Sequence, residues 1–264
     1  MRKYKGAVFF DVDGTLVDER LQIYKPTGKT LEAIHKLRLN GFLTGIATGR
    51  ARCYLPEIGI DFDCYVSCNG AVAEVNGIEI LNDTISLPDL KTLISFMENE
   101  GIGYELEGSQ QCFYQREAKE AFDELMRNFH IFADCFYPLE SLEGLKINKL
   151  LILFQHMKQF EKMREMFSSE YVITQHHRNL SADIGKRGVN KATGIQAVIQ
   201  HLGLSVSDTY AFGDDGNDFE MLQTVGHGIA MTPHAIGLEK VADDLTGSVA
   251  EEGVYNGLKK LGLI

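Results

Sequence analysis

No apolar run in this chain reaches the length needed to span a bilayer, which excludes a membrane-crossing helix. Nor is a removable leader visible. Met1-Arg2-Lys3-Tyr4-Lys5 leads directly into a strand-like run that carries acidic residues, and a cytoplasmic protein is expected. Positive charge is scarce, with 26 Lys and Arg against 37 Asp and Glu and a formal net charge of −11. Nucleic acid is therefore not expected as a partner, because phosphate backbones attract clustered cations. An anionic ligand would have to be drawn in by local fields. The five cysteines, Cys53, Cys64, Cys68, Cys112 and Cys135, are odd in number and form no CxxC pair. That pattern argues against a zinc site or a complete disulfide framework, and the expectation is reduced, partly buried thiols.

What is present begins with Phe10-Asp11-Val12-Asp13-Gly14-Thr15-Leu16, directly after the apolar run Ala7-Val8-Phe9-Phe10. Such a run reads as a buried parallel strand, and residues at its carboxyl end project into the crevice where doubly wound sheets bind ligands. Gly14 permits the sharp turn that follows. Two carboxylates this close repel and raise each other's pKa unless a cation or shared proton relieves them. Oxygen-only ligands of this kind suit Mg²⁺. A solvated turn would use the same residues, so this cluster alone decides little. A second cluster changes the balance. Thr209-Tyr210-Ala211-Phe212 is followed by Gly213-Asp214-Asp215-Gly216-Asn217-Asp218, then by Phe219, Leu222 and Val225 at helical spacing. Strand ends distant in sequence would thereby bring several carboxylates to one edge of a sheet.

Two further strand ends lie between these clusters. Phe42-Leu43-Thr44-Gly45-Ile46-Ala47 runs into Thr48-Gly49-Arg50, which offers a hydroxyl and backbone N–H groups to an anion, as many strand-to-helix turns do. Lys191 opens a helix whose apolar face is Ile195, Val198, Ile199 and Leu202. A lysine is misplaced at the positive end of a helix unless an anion sits there or the side chain is simply exposed.

In order, Asp11-Val12-Asp13-Gly14-Thr15-Leu16, the Thr48 of Ala47-Thr48-Gly49-Arg50, the Lys191 of Gly188-Val189-Asn190-Lys191, and the final acidic loop resemble the four motifs of the haloacid dehalogenase-like phosphatase superfamily. The long segment between threonine and lysine is similar to the Cof-type subgroup, which carries a large α/β cap there. Asn69-Gly70-Ala71 and Gly253-Val254 fit the same subgroup.

The resemblance implies a nucleophile at Asp11 that carries a transient aspartyl-phosphate. It implies an acid and base at Asp13. Mg²⁺ would be bound by the Asp11 and Asp214 carboxylates with the Asp13 backbone carbonyl. Thr48, Gly49, Lys191 and Asn217 would hold phosphoryl oxygens, while Asp218 would orient Lys191 or a metal-bound water. Asp215 is left as a supporting or solvent-facing carboxylate. The presence of Asp13 argues against carbon–halogen cleavage, and the final loop makes a mutase the weaker reading.

The fold expected is α/β, a doubly wound, Rossmann-like parallel sheet built from residues 1–80 and 187–264, interrupted by an α+β cap at 81–186. Within the cap, Leu90, Leu93, Ile94 and Met97 mark one helix. Ala118, Ala121, Phe122, Leu125, Met126 and Phe129 mark a second, and Phe160, Met163, Met166 and Phe167 a third. Cap residues would select the substrate. His176, His177 and Arg178 are candidates, though a solvated hairpin turn would look the same, and Asn69 is a candidate that also reads as a simple turn. The function expected is a Mg²⁺-dependent phosphomonoesterase acting on a small phosphorylated metabolite, a sugar phosphate or phosphorylated cofactor. The alternatives are a non-catalytic phospho-ligand sensor and a phosphotransferase or phosphomutase. Neither the metabolite nor the oligomeric state is legible.

Overall fold

The computed structural model describes residues 4–176 and 179–264. Its strands are β1 (Gly6–Phe10), β2 (Phe42–Ala47), β3 (Cys64–Ser67), β4 (Val72–Val75), β5 (Ile78–Asn82), β6 (Gly103–Glu107), β7 (Cys112–Tyr114), β8 (Phe136–Pro138), β9 (Lys149–Leu153), β10 (Tyr171–Gln175), β11 (Ser181–Lys186), β12 (Thr209–Gly213), β13 (His227–Ala230) and β14 (Asp244–Leu245). Its helices are α1 (Gly28–Leu39), α2 (Leu87–Glu100), α3 (Lys119–Asn128), α4 (Met157–Phe167), α5 (Lys191–Leu202), α6 (Phe219–Thr224) and α7 (Gly253–Lys260). No described helix is long and apolar enough to cross a membrane.

The chain divides into two compact units. The first comprises the residues up to Arg50, Pro56–Leu81 and Asn190–Ile264. Its sheet runs β14-β13-β12-β1-β2-β3-β4-β5. Pairing is parallel from β14 through β3, and β4 turns back antiparallel on β3. All of β1 is buried, as a strand covered on both faces must be. Ala7, Phe9, Leu43, Val66, Ile195, Val198 and Leu222 share one apolar core, so the helical face read for α5 is the face that packs. Leu202, the last residue of that face, is only partly buried.

The second unit is Ala51–Leu55 with Asn82–Val189. Its sheet, β10-β11-β9-β6-β7-β8, is antiparallel except where β8 runs parallel to β7. Leu90, Leu93, Ile94 and Met97 of α2 and Phe160, Met163 and Phe167 of α4 join Leu106, Leu150, Ile152 and Ile184 in one core. Phe122 and Leu125 of α3 pack with Leu151 in a separate cluster. Leu150 and Leu151 belong to different clusters because successive strand residues point to opposite faces.

Three sequence expectations need correction. Met166, read as part of the α4 stripe, is 60% exposed, because at about 100° per residue it lies outside the arc of Phe160, Met163 and Phe167, beyond Met163 and away from Phe167. Ala121 is likewise exposed on α3. The segment Ala51–Leu55, expected in the parallel core, belongs to the second unit, whose main segment begins at Asn82 and ends at Val189. The cause is local bonding: Cys53 N–H donates to the Ser109 carbonyl at 3.0 Å, and the Tyr54 hydroxyl donates to the buried Glu107.

Candidate active site

The chain runs outward from β1 to β2 on one side and meets β12 on the other, so a topological switch point lies between β1 and β12. Phe10 and Phe212 are register partners across it, and the Asp11 N–H donates to the Phe212 carbonyl at 2.9 Å. Asp11 and Asp214, the first residues beyond these strands, therefore leave the sheet side by side, both buried. Gly14 makes this approach possible. Its φ is +91°, and a Cβ there would lie 2.0 Å from Asp214 Oδ2. Thr15 donates its hydroxyl to Asp214 Oδ1 at 3.3 Å.

Lys191 is the first residue of α5, a helix started by a reciprocal cap between Asn190 and Thr193. Its side chain is wholly buried, with Nζ 2.6 Å from Asp11 Oδ1 and 2.7 Å from Asp218 Oδ1. The anion that a lysine at this helix end calls for is thus supplied by the protein itself. Burial alone would lower the Lys191 pKa, but the two carboxylates hold it above the usual lysine value. Asp218 is tied down on its other oxygen, which accepts the N–H of Asp214 at 2.9 Å and of Asp215 at 3.0 Å. Gly213 is needed here too, because a Cβ would lie 2.5 Å from the Asp218 carboxyl carbon.

Burial pushes Asp11 up to about 8, with the charges of Asp218 and Asp13 adding to it and Lys191 opposing. Burial likewise pushes Asp214 up to about 9, with Asp11 and Asp218 adding. One oxygen from each of Asp11, Asp214 and Asp218 falls within 4.8 Å of the others. A single ammonium does not balance three such carboxylates, and a hard divalent cation does. Since both Asp218 oxygens already have partners, Asp11 and Asp214 are the carboxylates suited to hold it. The donor set fits Mg²⁺.

On the neighbouring strand end, Thr48 is buried and its hydroxyl accepts the Arg50 N–H at 3.1 Å. Asn217 donates its amide to Asn69 Oδ1 at 3.0 Å. A Cβ on Gly49 would lie 3.1 Å from that same oxygen, so Gly49, Asn69 and Asn217 converge. Asn69 sits at φ 52°, a left-handed conformation that asparagine tolerates better than most residues. Asp215 is exposed and caps the turn Gly216–Asp218 by accepting the Gly216 N–H, the solvent-facing option of the sequence reading.

Two side chains quoted in the motifs but given no role now have partners. Arg50 forks onto both oxygens of Asp13, at 2.8 and 2.6 Å, and reaches Glu19 at 3.1 Å. Thr15 braces Asp214. The signal for Arg50 was its place two residues after Thr48, but only the fold reveals that Asp13 is its partner. His176 belongs to the second unit. Its Nδ1 pairs with the Ser181 hydroxyl at 2.8 Å and its Nε2 lies 3.5 Å from Asp183 Oδ1. His177 and Arg178 lie outside the described residues.

Buried aspartates thus follow two adjacent strands, and one buried lysine joins Asp11 to Asp218. The family profile described as haloacid dehalogenase-like hydrolase matches residues 8–258. The chain belongs to that family. It is 31% identical over 266 residues to "Putative phosphatase YkrA" of Bacillus subtilis, covering 97% of this chain and 98% of that protein. It is 25% identical to the 5-amino-6-(5-phospho-D-ribitylamino)uracil phosphatase YitU of the same organism, covering 96% of each. Among solved structures, the HAD subclass IIB sugar phosphatase BT4131 superposes with a TM-score of 0.84 at 23% identity, over 98% of this chain and 100% of that one. That likeness carries the fold: a Rossmann-like HAD core with parallel sheet and flanking helices.

Proposed function

We propose that this HAD-type phosphomonoesterase hydrolyses a small phosphorylated metabolite, a sugar phosphate or a phosphorylated cofactor or its precursor, with Asp11 as nucleophile. The observation that carries the reading is the buried Asp11 carboxylate held 2.6 Å from the Lys191 ammonium and beside Asp214 at the switch point. A pure sensor has no need of a buried nucleophile with a second aspartate, Asp13, positioned by Arg50. The identity to a phosphoribitylaminouracil phosphatase supports a polyhydroxylated phosphate monoester as the first compound to try.

In this reading an Asp11 oxygen forms a bond to phosphorus as the ester P–O bond breaks, and Asp13 gives a proton to the departing alkoxide. Asp13 then takes a proton from water, whose oxygen attacks phosphorus and releases phosphate and the Asp11 carboxylate. Thr48 Oγ, the Gly49 N–H, Lys191 and Asn217 hold the phosphoryl oxygens and stabilise their growing charge. Asn69 steadies Asn217, and Asp218 pins Lys191. Mg²⁺, held by Asp11, Asp214 and the Asp13 carbonyl, would screen the repulsion between anionic nucleophile and anionic phosphate. The inserted unit chooses the substrate.

The test is phosphate release across a panel of phosphorylated metabolites, in Mg²⁺ and in EDTA, with wild type and Asp11→Asn side by side. Metal-dependent release that is absent from Asp11→Asn supports the reading. A folded, Mg²⁺-binding wild type that releases phosphate from no compound rejects it in favour of the sensor or phosphotransferase alternatives.

A further inference from the structure

Three thiols far apart in sequence meet in the second unit. Cys53 comes from the segment Ala51–Leu55, Cys112 opens β7 and Cys135 directly precedes β8. Their sulfurs all lie within 4.8 Å of one another, with Cys53 and Cys112 Sγ 3.8 Å apart. All three are free thiols, Cys112 and Cys135 buried and Cys53 partly exposed.

The surroundings hold this triangle in place. Cys112 N–H donates to the Cys135 carbonyl at 2.8 Å, and Cys53 N–H donates to the Ser109 carbonyl at 3.0 Å. Tyr54 stacks on Phe136, the neighbour of Cys135, with ring centroids 5.6 Å apart. The Tyr54 hydroxyl donates to Glu107, which stands opposite Cys112 in the β6–β7 ladder and is paired with Lys149 at 3.1 Å. Each sulfur-bearing segment is therefore bonded to a neighbour that carries or flanks another part of the cluster, as built ligand sets require.

The spacing suits a metal better than a disulfide. Tetrahedral zinc with Zn–S near 2.3 Å has sulfur–sulfur edges of about 3.8 Å, whereas a disulfide closes to about 2.0 Å.

We propose that Cys53, Cys112 and Cys135 form a three-thiolate site for a thiophilic divalent cation of the zinc type, with the fourth position left to water or a small ligand. On binding, each thiol that ligates the cation gives up its proton to solvent, leaving three thiolates around the metal. The soft sulfur set is chemically separate from the oxygen-only carboxylates of the first unit, so the two sites sort metals by ligand type. Metal at the triangle would tie the segment around Cys53 to β7 and β8.

The experiment titrates the full chain, kept reduced with a phosphine, with Co²⁺ and then with Zn²⁺. The expected result is one equivalent of Co²⁺ bound with thiolate-to-cobalt charge-transfer absorption, displaced by one equivalent of Zn²⁺. That absorption should be lost in Cys53→Ser and Cys135→Ser and kept in Cys64→Ala and Asp11→Asn, with folding of each variant checked by circular dichroism. Cys53 is partly exposed, so its variant carries the test if Cys135→Ser does not fold. Absence of the absorption from wild type, its full retention in Cys53→Ser, or oxidation to a disulfide without metal uptake by the reduced protein would each overturn the proposal.

Discussion

Lys191 and Asp218 form an ion pair of 2.7 Å in which neither side chain reaches solvent. The same ammonium also binds Asp11, so one cation organises two strand ends and the start of α5. Lys191→Met would leave two buried carboxylates without their counter-ion. The expected cost is about 3–5 kcal/mol, the usual penalty for breaking a buried pair on one side. Urea unfolding of the metal-free proteins measures it, and an unchanged midpoint would show that the pair contributes nothing to stability.

Asp11→Asn keeps the volume of the side chain and removes its charge. Turnover should fall by about 10³-fold or more, as expected when a covalent nucleophile is lost. The metal-free variant should be no less stable than wild type, because repulsion with Asp214 and Asp218 is relieved. Steady-state kinetics beside thermal unfolding separates the two effects, and a variant turning over at the wild-type rate would remove Asp11 from the chemistry.

Gly14→Ala would set a methyl 2.0 Å from Asp214 Oδ2 at a φ of +91°. Strain and displacement of Asp214 then act together, and the variant should lose both stability and Mg²⁺ affinity. Isothermal titration with Mg²⁺ against wild type measures the second, which a purely local backbone effect would leave untouched.

Asp11 and Asp214 have folded-state values of about 8 and about 9, against 3.8 for the free side chain. Groups raised on folding favour the folded state at low pH and lose that contribution as pH rises through the folded values. Metal-free stability should therefore decline between about pH 4 and pH 9, and saturating Mg²⁺ should offset the decline by binding the ionised carboxylates. Thermal melts in EDTA and in Mg²⁺ across this range test it; parallel curves would contradict the assignment of the cation to these residues.

Arg50 holds both oxygens of Asp13. Arg50→Ala should slow alkyl phosphates by about 10–100-fold, the range typical of groups that orient a reacting side chain. Aryl phosphates, whose leaving group needs little protonation, should be much less affected. Equal losses on both substrate types would mean that Arg50 does not act through Asp13.

The residues of the candidate site and its two main strands were legible because each sits where an apolar run ends: Asp11 after Phe10, Thr48 after Ala47, Asp214 after Gly213. Local patterning also marked the apolar faces of α2 and most of α5. It misplaced Met166 because a four-residue list cannot tell a face from its border, and it did not mark β4, β5, β7, β8, β11, β13 or β14, whose short or mixed sequences depend on their neighbours for pairing. It left Arg50 without a partner because Asp13 is 37 residues away in sequence. The absence of CxxC spacing made a sulfur site improbable on local grounds, yet Cys53, Cys112 and Cys135 converge through the excursion of residues 51–55 into the second unit. By itself the sequence determined which chemical groups stand at each strand end, because alternation and apolar runs are properties of a single segment. Which of those groups touch was decided only by the tertiary structure, since hydrogen bonds and ion pairs between distant segments exist only once sheet order and register bring them within reach.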